Sequence, residues 1–302
     1  MKQPYTKPAL SIADQLSHIA HGMTITDRAA AEHALQHLSY YRLSAYWLPF
    51  EQDKNLSGPR FAPGTRFETV LALYEFDRKL RAITMSAIER LEVAIRGSWA
   101  YHLAMKTGPH GYLASGLCTD QRFYQANLKG LQDDINNSKD VFIQHYYSKY
   151  SGPPMPPVWM ASEIMTFGRL SRWYKALDQA SDRQAVADPF DLDEAIFVPF
   201  VHHLSVVRNT CAHHSRLWNR IFHVPLRLPK KRPVELATSI NRVAGAKIHN
   251  TFAMLIYALK RCAPDDTFAA DIRDHLATHP TGDIGGMGFP AGWEGRPIWN
   301  LP

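Results

Sequence analysis

Cysteine is scarce: three residues in 302, Cys118, Cys211 and Cys262. They are too few and too scattered for a disulfide framework, and no two stand at zinc-ligand spacing, so they are expected as reduced thiols of a cytoplasmic protein. Long apolar runs are missing too. The opening MKQPYTKPAL has no hydrophobic core of signal-peptide length, and the longest apolar stretch, 195–207, is interrupted by Pro199, His202 and His203. Neither a membrane span nor export by that route is expected. No run alternates apolar and polar residues between hairpin turns, and neither repeats nor low-complexity tracts occur, which excludes sheet-based folds and solenoids. What the chain does have is 45% hydrophobic residues, enough for a sizeable core without disulfides or metal, and a net charge of +6. A polyanion is a reasonable partner for such a charge, although only its arrangement in the fold makes it specific.

Helical periodicity dominates, and the expected class is all-α. Residues 1–263 are expected as one domain with an N-terminal helical subregion over 1–60. Helices are expected at 11–21 and 27–38, opened by Ser11 and Thr26, the first ended by Gly22. An aromatic-rich stretch follows at 40–47. The strongest signal runs over 65–96, where Thr65 and Glu68 have capping-box spacing and Leu73, Leu80, Ile83, Ala87, Leu91, Ala94 and Ile95 form one buried face; it extends to Leu103 before Gly108-Pro109 stops it. Helical segments continue to Tyr150, a stiff proline linker follows at 152–157, and helices resume over 159–177, 201–220 and 234–261. Asp191 with Glu194 suggests a second capping box, and Pro199 a kink or restart. From 264 the chain collects glycine and proline. Its Met287, Phe289, Trp293, Ile298 and Trp299 are too apolar for a solvated segment, so 264–302 is expected as an irregular tail that docks back on the domain or on a partner.

The most informative segment is 207–220, which packs three arginines, two asparagines and two histidines into fourteen positions directly after an apolar run. On a continuing helix Arg208 shares a face with Ala212 and Ser215, and Asn209 with His213 and Arg216, so Arg208 and His213 border one cleft from adjacent faces. An imidazole beside a guanidinium suits phosphodiester chemistry. The first moves a proton at the ribose 2′-hydroxyl or the leaving 5′-oxygen, and the second stabilises charge on the pentacovalent phosphate. No carboxylate lies within the segment, which argues against a hard-metal site built there. The plain alternative is a solvated helix face.

Arg208-x4-His213, set in Arg-Asn-x-Cys-Ala-His-His-x-Arg-Leu-Trp-Asn-Arg, resembles the R-x4-6-H signature of HEPN ribonucleases, in the form seen in Abi-like abortive-infection proteins of the AbiD and AbiF type. Segments 40–46, 74–81, 88–96 and 159–168, and the ending Met287-Gly288-Phe289-Pro290 with Trp293 and Pro297-x-Trp299, are similar to the same family. The resemblance implies a HEPN-like helical bundle that works as a homodimer, its R-x4-H helices facing each other across a composite cleft. It implies metal-independent RNA cleavage without a cofactor, with Arg208 and His213 catalytic, Asn209 orienting the histidine or the phosphate, and His214 and Arg216 in support. It further implies a role in phage defence, with an RNA or protein antitoxin as a restraining partner. A non-catalytic RNA-binding or protein-interaction module of the same fold is the rival reading.

Other residues keep two readings. Glu89, Arg90, Glu92 and Arg96 either orient the catalytic helix and wall an RNA path, or form intrahelical ion pairs. Tyr40, Tyr41, Tyr46 and Trp47 either stack unpaired bases, with Arg42 on phosphates, or belong to the core. Arg227 with Lys230, Lys231 and Arg232 is either an RNA-guiding patch or a solvated loop. Histidine is plentiful, yet the adjacent pairs His202-His203 and His213-His214 point to different helix faces and lack a third ligand, so no metal site is expected.

Overall fold

Short polar side chains open the first helices. Ser11 accepts from the Asp14 amide at the start of α1 (Ile12–Ala20), Asp27 from Ala30 at the start of α2 (Arg28–Leu38), and Ser39 from Arg42 at the start of α3 (Tyr40–Trp47). The structure is a computed structural model that describes residues 4–6, 8–52 and 60–300; thirteen α-helices and isolated bridges, but no strand, occur among the described residues. The cap of α2 is thus Asp27, and Thr26 serves differently. Its amide and hydroxyl both donate to Glu68 at 2.7 Å, joined by the Asp27 amide at 3.2 Å. Glu68 therefore closes no box with Thr65, whose hydroxyl donates to the Ala62 carbonyl. Burial alone would raise the Glu68 carboxyl, but these hydrogen bonds hold it down at about 2.

α4 (Phe67–Thr107) has 41 residues, a length of about 60 Å, and stops where Gly108 takes φ +79°, a conformation that favours glycine. The chain divides into two compact units, Met1–Leu80 with Asp274–Asp283, and Arg81–Arg273 with Ile284–Pro302. In the first, Leu16, Ile19, Leu35, Leu43, Tyr46, Trp47, Phe61 and Phe67 are buried, and any Cβ at Gly22 would lie 2.6 Å from the Phe61 ring. Glycine at 22 thus serves close packing after α1 has ended. Tyr46 donates to the buried Asp77 at 2.6 Å, and Trp47 meets Tyr40 edge-on. Tyr46 and Trp47 are core residues and offer no face to bases, whereas Tyr41 is 88% exposed and Arg42 is exposed.

The second unit continues with α5 (Gln121–Asn137), capped by Asp120, and α6 (Val141–Lys149). The proline run that follows is pinned by tyrosines: Tyr146 donates to the Pro153 and Met155 carbonyls, Tyr147 to Pro154 and Tyr112 to Pro156. Residues 159–177 are two helices rather than one, α7 (Val158–Ile164) and α8 (Phe167–Ala176), with Thr166 capping the second. α9 (Ala180–Ala187) leads to α10 (Glu194–Ala212), which is capped by Asp193, runs unbroken through Pro199 and ends eight residues before the expected 220. α10 packs on α8 and α9.

The expected helix 234–261 is likewise divided, into α11 (Val234–Ser239) and α12 (Ile248–Cys262). Between them the Asn250 side chain accepts from the Asn241 amide and donates to the Asn241 carbonyl, both at 2.8 Å. Residues 268–277, read above as irregular, form α13 (Phe268–Ala277), in which His275 stacks on Phe76 of the first unit. Met287, Phe289, Trp293, Ile298 and Trp299 are buried; Trp293 meets Trp299 edge-on at 4.7 Å, and the Ile298 amide donates to Ser239 of α11. No described helix is long and apolar enough to cross a membrane.

Candidate functional site at the end of α10

No glycine or proline follows Ala212 before Pro225, yet α10 stops there. His214 adopts φ 54°, its amide donates to the Cys211 carbonyl and the Ser215 amide to the Thr210 carbonyl. This is a Schellman ending in which histidine occupies the left-handed position usually given to glycine, at a cost of about 1–2 kcal/mol. His213 becomes the C-cap, with an exposed side chain. Helical facing stops with the helix, so Asn209, His213 and Arg216 do not form the stripe expected of them. Arg216 instead lies over the Trp218 ring at 5.9 Å.

Arg208, inside the last two turns, points at α4. Its Nε stands 3.6 Å from Glu92 Oε2, and its Nη1 donates to Asn209 Oδ1 at 3.3 Å. Asn209 therefore steadies the arginine. The other oxygen of Glu92 accepts from Arg96 at 2.9 Å, and Arg96 also donates to the Ser162 and Met165 carbonyls. Those carbonyls lie at the end of α7, where intrahelical donors run out and, among backbone amides, Ser162 accepts only from that of Met165, so Arg96 caps a helix terminus that its own sequence neighbourhood never reveals. Two arginines thus share one carboxylate on unequal terms. Arg96 has a side chain 9% exposed with its donors committed to structure, while Arg208 is 31% exposed and its Nη2 donates to no described residue.

Glu89, Glu92, Arg96 and Arg208 line a cleft of about 340 Å³ together with Met85, Val93 and Glu163. Glu163, from the last turn of α7, was not foreseen, and no local pattern could have marked it. His213 is not part of this cleft's wall. Lys230, Lys231 and Arg232 are exposed in the loop before α11, held by Arg242, which donates to the Pro229 carbonyl at 2.6 Å. Arg42 belongs to the first unit. Among the described residues no group of three histidine, cysteine, aspartate or glutamate side chains could hold a metal ion.

A second charged cluster on α4 also escaped the sequence. Asp182 of α9 accepts from His102 at 3.0 Å and from Lys106 at 2.6 Å; burial opposes ionisation, but these donors hold its carboxyl below the usual range. The cluster ties α4 to α9.

A family model described as Abi-like protein matches residues 33–219. The match covers Glu89, Arg96 and the whole of the Arg208–His213 segment, and stops before Lys230. No curated protein and no solved structure matches.

Proposed function

The chain belongs to the Abi-like protein family, and from that membership we propose a metal-independent endoribonuclease of abortive infection, of the HEPN type, that reacts through Arg208 and His213. The observation that carries this reading is the contrast at the end of α10: a guanidinium steadied by Glu92 and Asn209 whose Nη2 donates to no described residue, followed at the cap by an exposed imidazole.

In the reaction, His213 takes the proton of a ribose 2′-hydroxyl and the 2′-oxygen forms a bond to phosphorus. The bond from phosphorus to the 5′-oxygen breaks, and the leaving oxygen receives a proton from an imidazolium. Arg208 neutralises charge gathering on the non-bridging oxygens. The products are a 2′,3′-cyclic phosphate and a 5′-hydroxyl, with no water consumed. One histidine per chain supplies either the base or the acid, so two copies of the chain complete the pair, Arg208 of one serving with His213 of the other.

A surface suited to such pairing borders the cleft. Val93, Tyr101 and Met105, 62%, 69% and 71% exposed, line one face of α4 at intervals that include Gly97. An antiparallel pairing of two copies about Gly97 sets Val93 against Tyr101 across the axis, an apolar self-complementary contact. Family membership supports phage defence as the biological role, with infection releasing the enzyme from an antitoxin.

The test is to incubate the purified protein, and its Arg208→Ala and His213→Ala variants, with total and defined single-stranded RNA in EDTA and to map the ends. Cleavage by the unaltered protein alone, leaving 2′,3′-cyclic phosphates and falling on dilution to monomer, is the expected result. Equal behaviour of all three, with RNA bound but intact, would make the chain a binding module.

A further inference from the structure

α10 also contributes to a second cleft, of about 470 Å³, through His202, opposite α8 and the start of α5. That volume falls within the range of about 300–1,000 Å³ usual for small-molecule sites. Its charges are unbalanced in an instructive way. On α8, Arg169 pairs with Asp134 at 2.8 Å, and Arg183 of α9 pairs with Glu194 at 2.8 Å. Arg172 and Lys175, the two exposed cations of α8 that line the cleft, pair with no acidic side chain among the described residues.

The rest of the wall differs in character. Phe123, in the first turn of α5, is half-buried and adjoins Ala176 and Leu177, giving an aromatic and aliphatic side. Asp120 uses Oδ1 to cap α5, accepting from the Arg122 and Phe123 amides, which leaves Oδ2 as an acceptor without a partner among the described residues. His202 stands 3.4 Å from Ser171 Oγ through Nδ1. Burial, and then Lys175 and Arg172, push its imidazole below the ordinary value, so at neutral pH it offers a neutral ring nitrogen beside the two cations.

We propose that this cleft binds a nucleoside phosphate: phosphate on Arg172 and Lys175 with His202, the base against Phe123, and a sugar hydroxyl or exocyclic amine donating to Asp120 Oδ2. Cationic donors fix the anion, an apolar wall takes the planar ring, and a lone acceptor reads the polar edge between them. The site is independent of Arg208 and His213. The same chemistry comes from a free nucleotide or from one nucleotide of an RNA strand, and the experiment separates the two.

The experiment is calorimetric titration of the full chain with ATP, adenosine, inorganic phosphate and a 2′-O-methyl oligoadenylate that cannot form a cyclic phosphate. Saturable binding of ATP is expected, at least about tenfold tighter than adenosine or phosphate. Arg172→Glu with Lys175→Glu should weaken it by at least about tenfold without lowering the melting temperature, since both side chains are exposed. Phe123→Ala should weaken ATP but not phosphate, and His213→Ala should bind ATP unchanged, so loss of cleavage and loss of this site are told apart. An oligoadenylate that binds more tightly than ATP, with the same sensitivity to the α8 variants, identifies the strand as the source; the reverse identifies the free nucleotide. No saturable heat from ATP or oligoadenylate at about 1 mM, or binding indifferent to the α8 variants, would overturn the proposal.

Discussion

The dipeptide His-His stands once in the middle of α10 and once just past its end, and the two copies have opposite fates. His203, in the middle, is 2% exposed, with Nδ1 2.8 Å from the Val224 carbonyl and Nε2 2.8 Å from the Thr251 hydroxyl. A carbonyl only accepts, so Nδ1 carries the proton and Nε2 accepts from Thr251: one neutral tautomer, fixed on both sides. Burial drives its imidazole down to about 4. His213, at the end, is exposed as the helix unwinds around it. Residue type is the same in both places, and only the second position leaves the ring open to solvent. Chemistry at a histidine is set by what surrounds it more than by the histidine.

The largest expected effect separates the two positions outright. His213→Ala should reduce RNA cleavage by about 10²–10⁴-fold while the protein melts normally. His203→Ala should leave cleavage per folded molecule intact but cost about 2–4 kcal/mol, from the cavity and two stranded hydrogen-bonding groups, as read by denaturant titration. If both variants melted early, or both cleaved normally, the contrast would collapse.

A smaller effect comes with pH. The unfolded His203 ring takes a proton near its ordinary 6.5, whereas the folded ring resists until about 4. Between those values the unfolded chain binds more protons, so stability should fall as pH drops from 6.5 toward 4, a slope that His203→Gln flattens. The smallest effect concerns the left-handed residue that displays His213. His214→Val should destabilise the protein by about 1–2 kcal/mol, because a β-branched residue resists positive φ, while His214→Gly keeps the ending intact; melting curves of the two distinguish them.

How much of this was legible depended on whether the deciding force was local. Class, the cap at Ser11 and most of the buried stripe of α4, from Leu73 through Leu80, Ala87 and Leu91 to Ile95, follow from neighbours in sequence and appear in the structure. The helix ends at Ile164, Ala212 and Ser239 do not, because none is marked by glycine or proline. The first is stabilised by Arg96, some seventy positions earlier, and the third by the Asn250 side chain. At the site, the Glu92–Arg96 pair is readable as i,i+4 spacing, but its sharing with Arg208 and the presence of Glu163 arise only when α4, α7 and α10 meet. The His202 cleft is hidden for the same reason, since its walls come from α5, α8 and α10.

The aromatic residues around Trp293 and Trp299 have a consequence for how the protein is made. They lie over α11 and α12, and Arg296 donates to the Ser239 and Ile240 carbonyls beneath them. Synthesis is vectorial, and these residues follow every other element of their unit. The ribosome must therefore deliver the chain as far as Trp299 before that core can close, so Arg208 and His213 emerge long before the unit that presents them is finished.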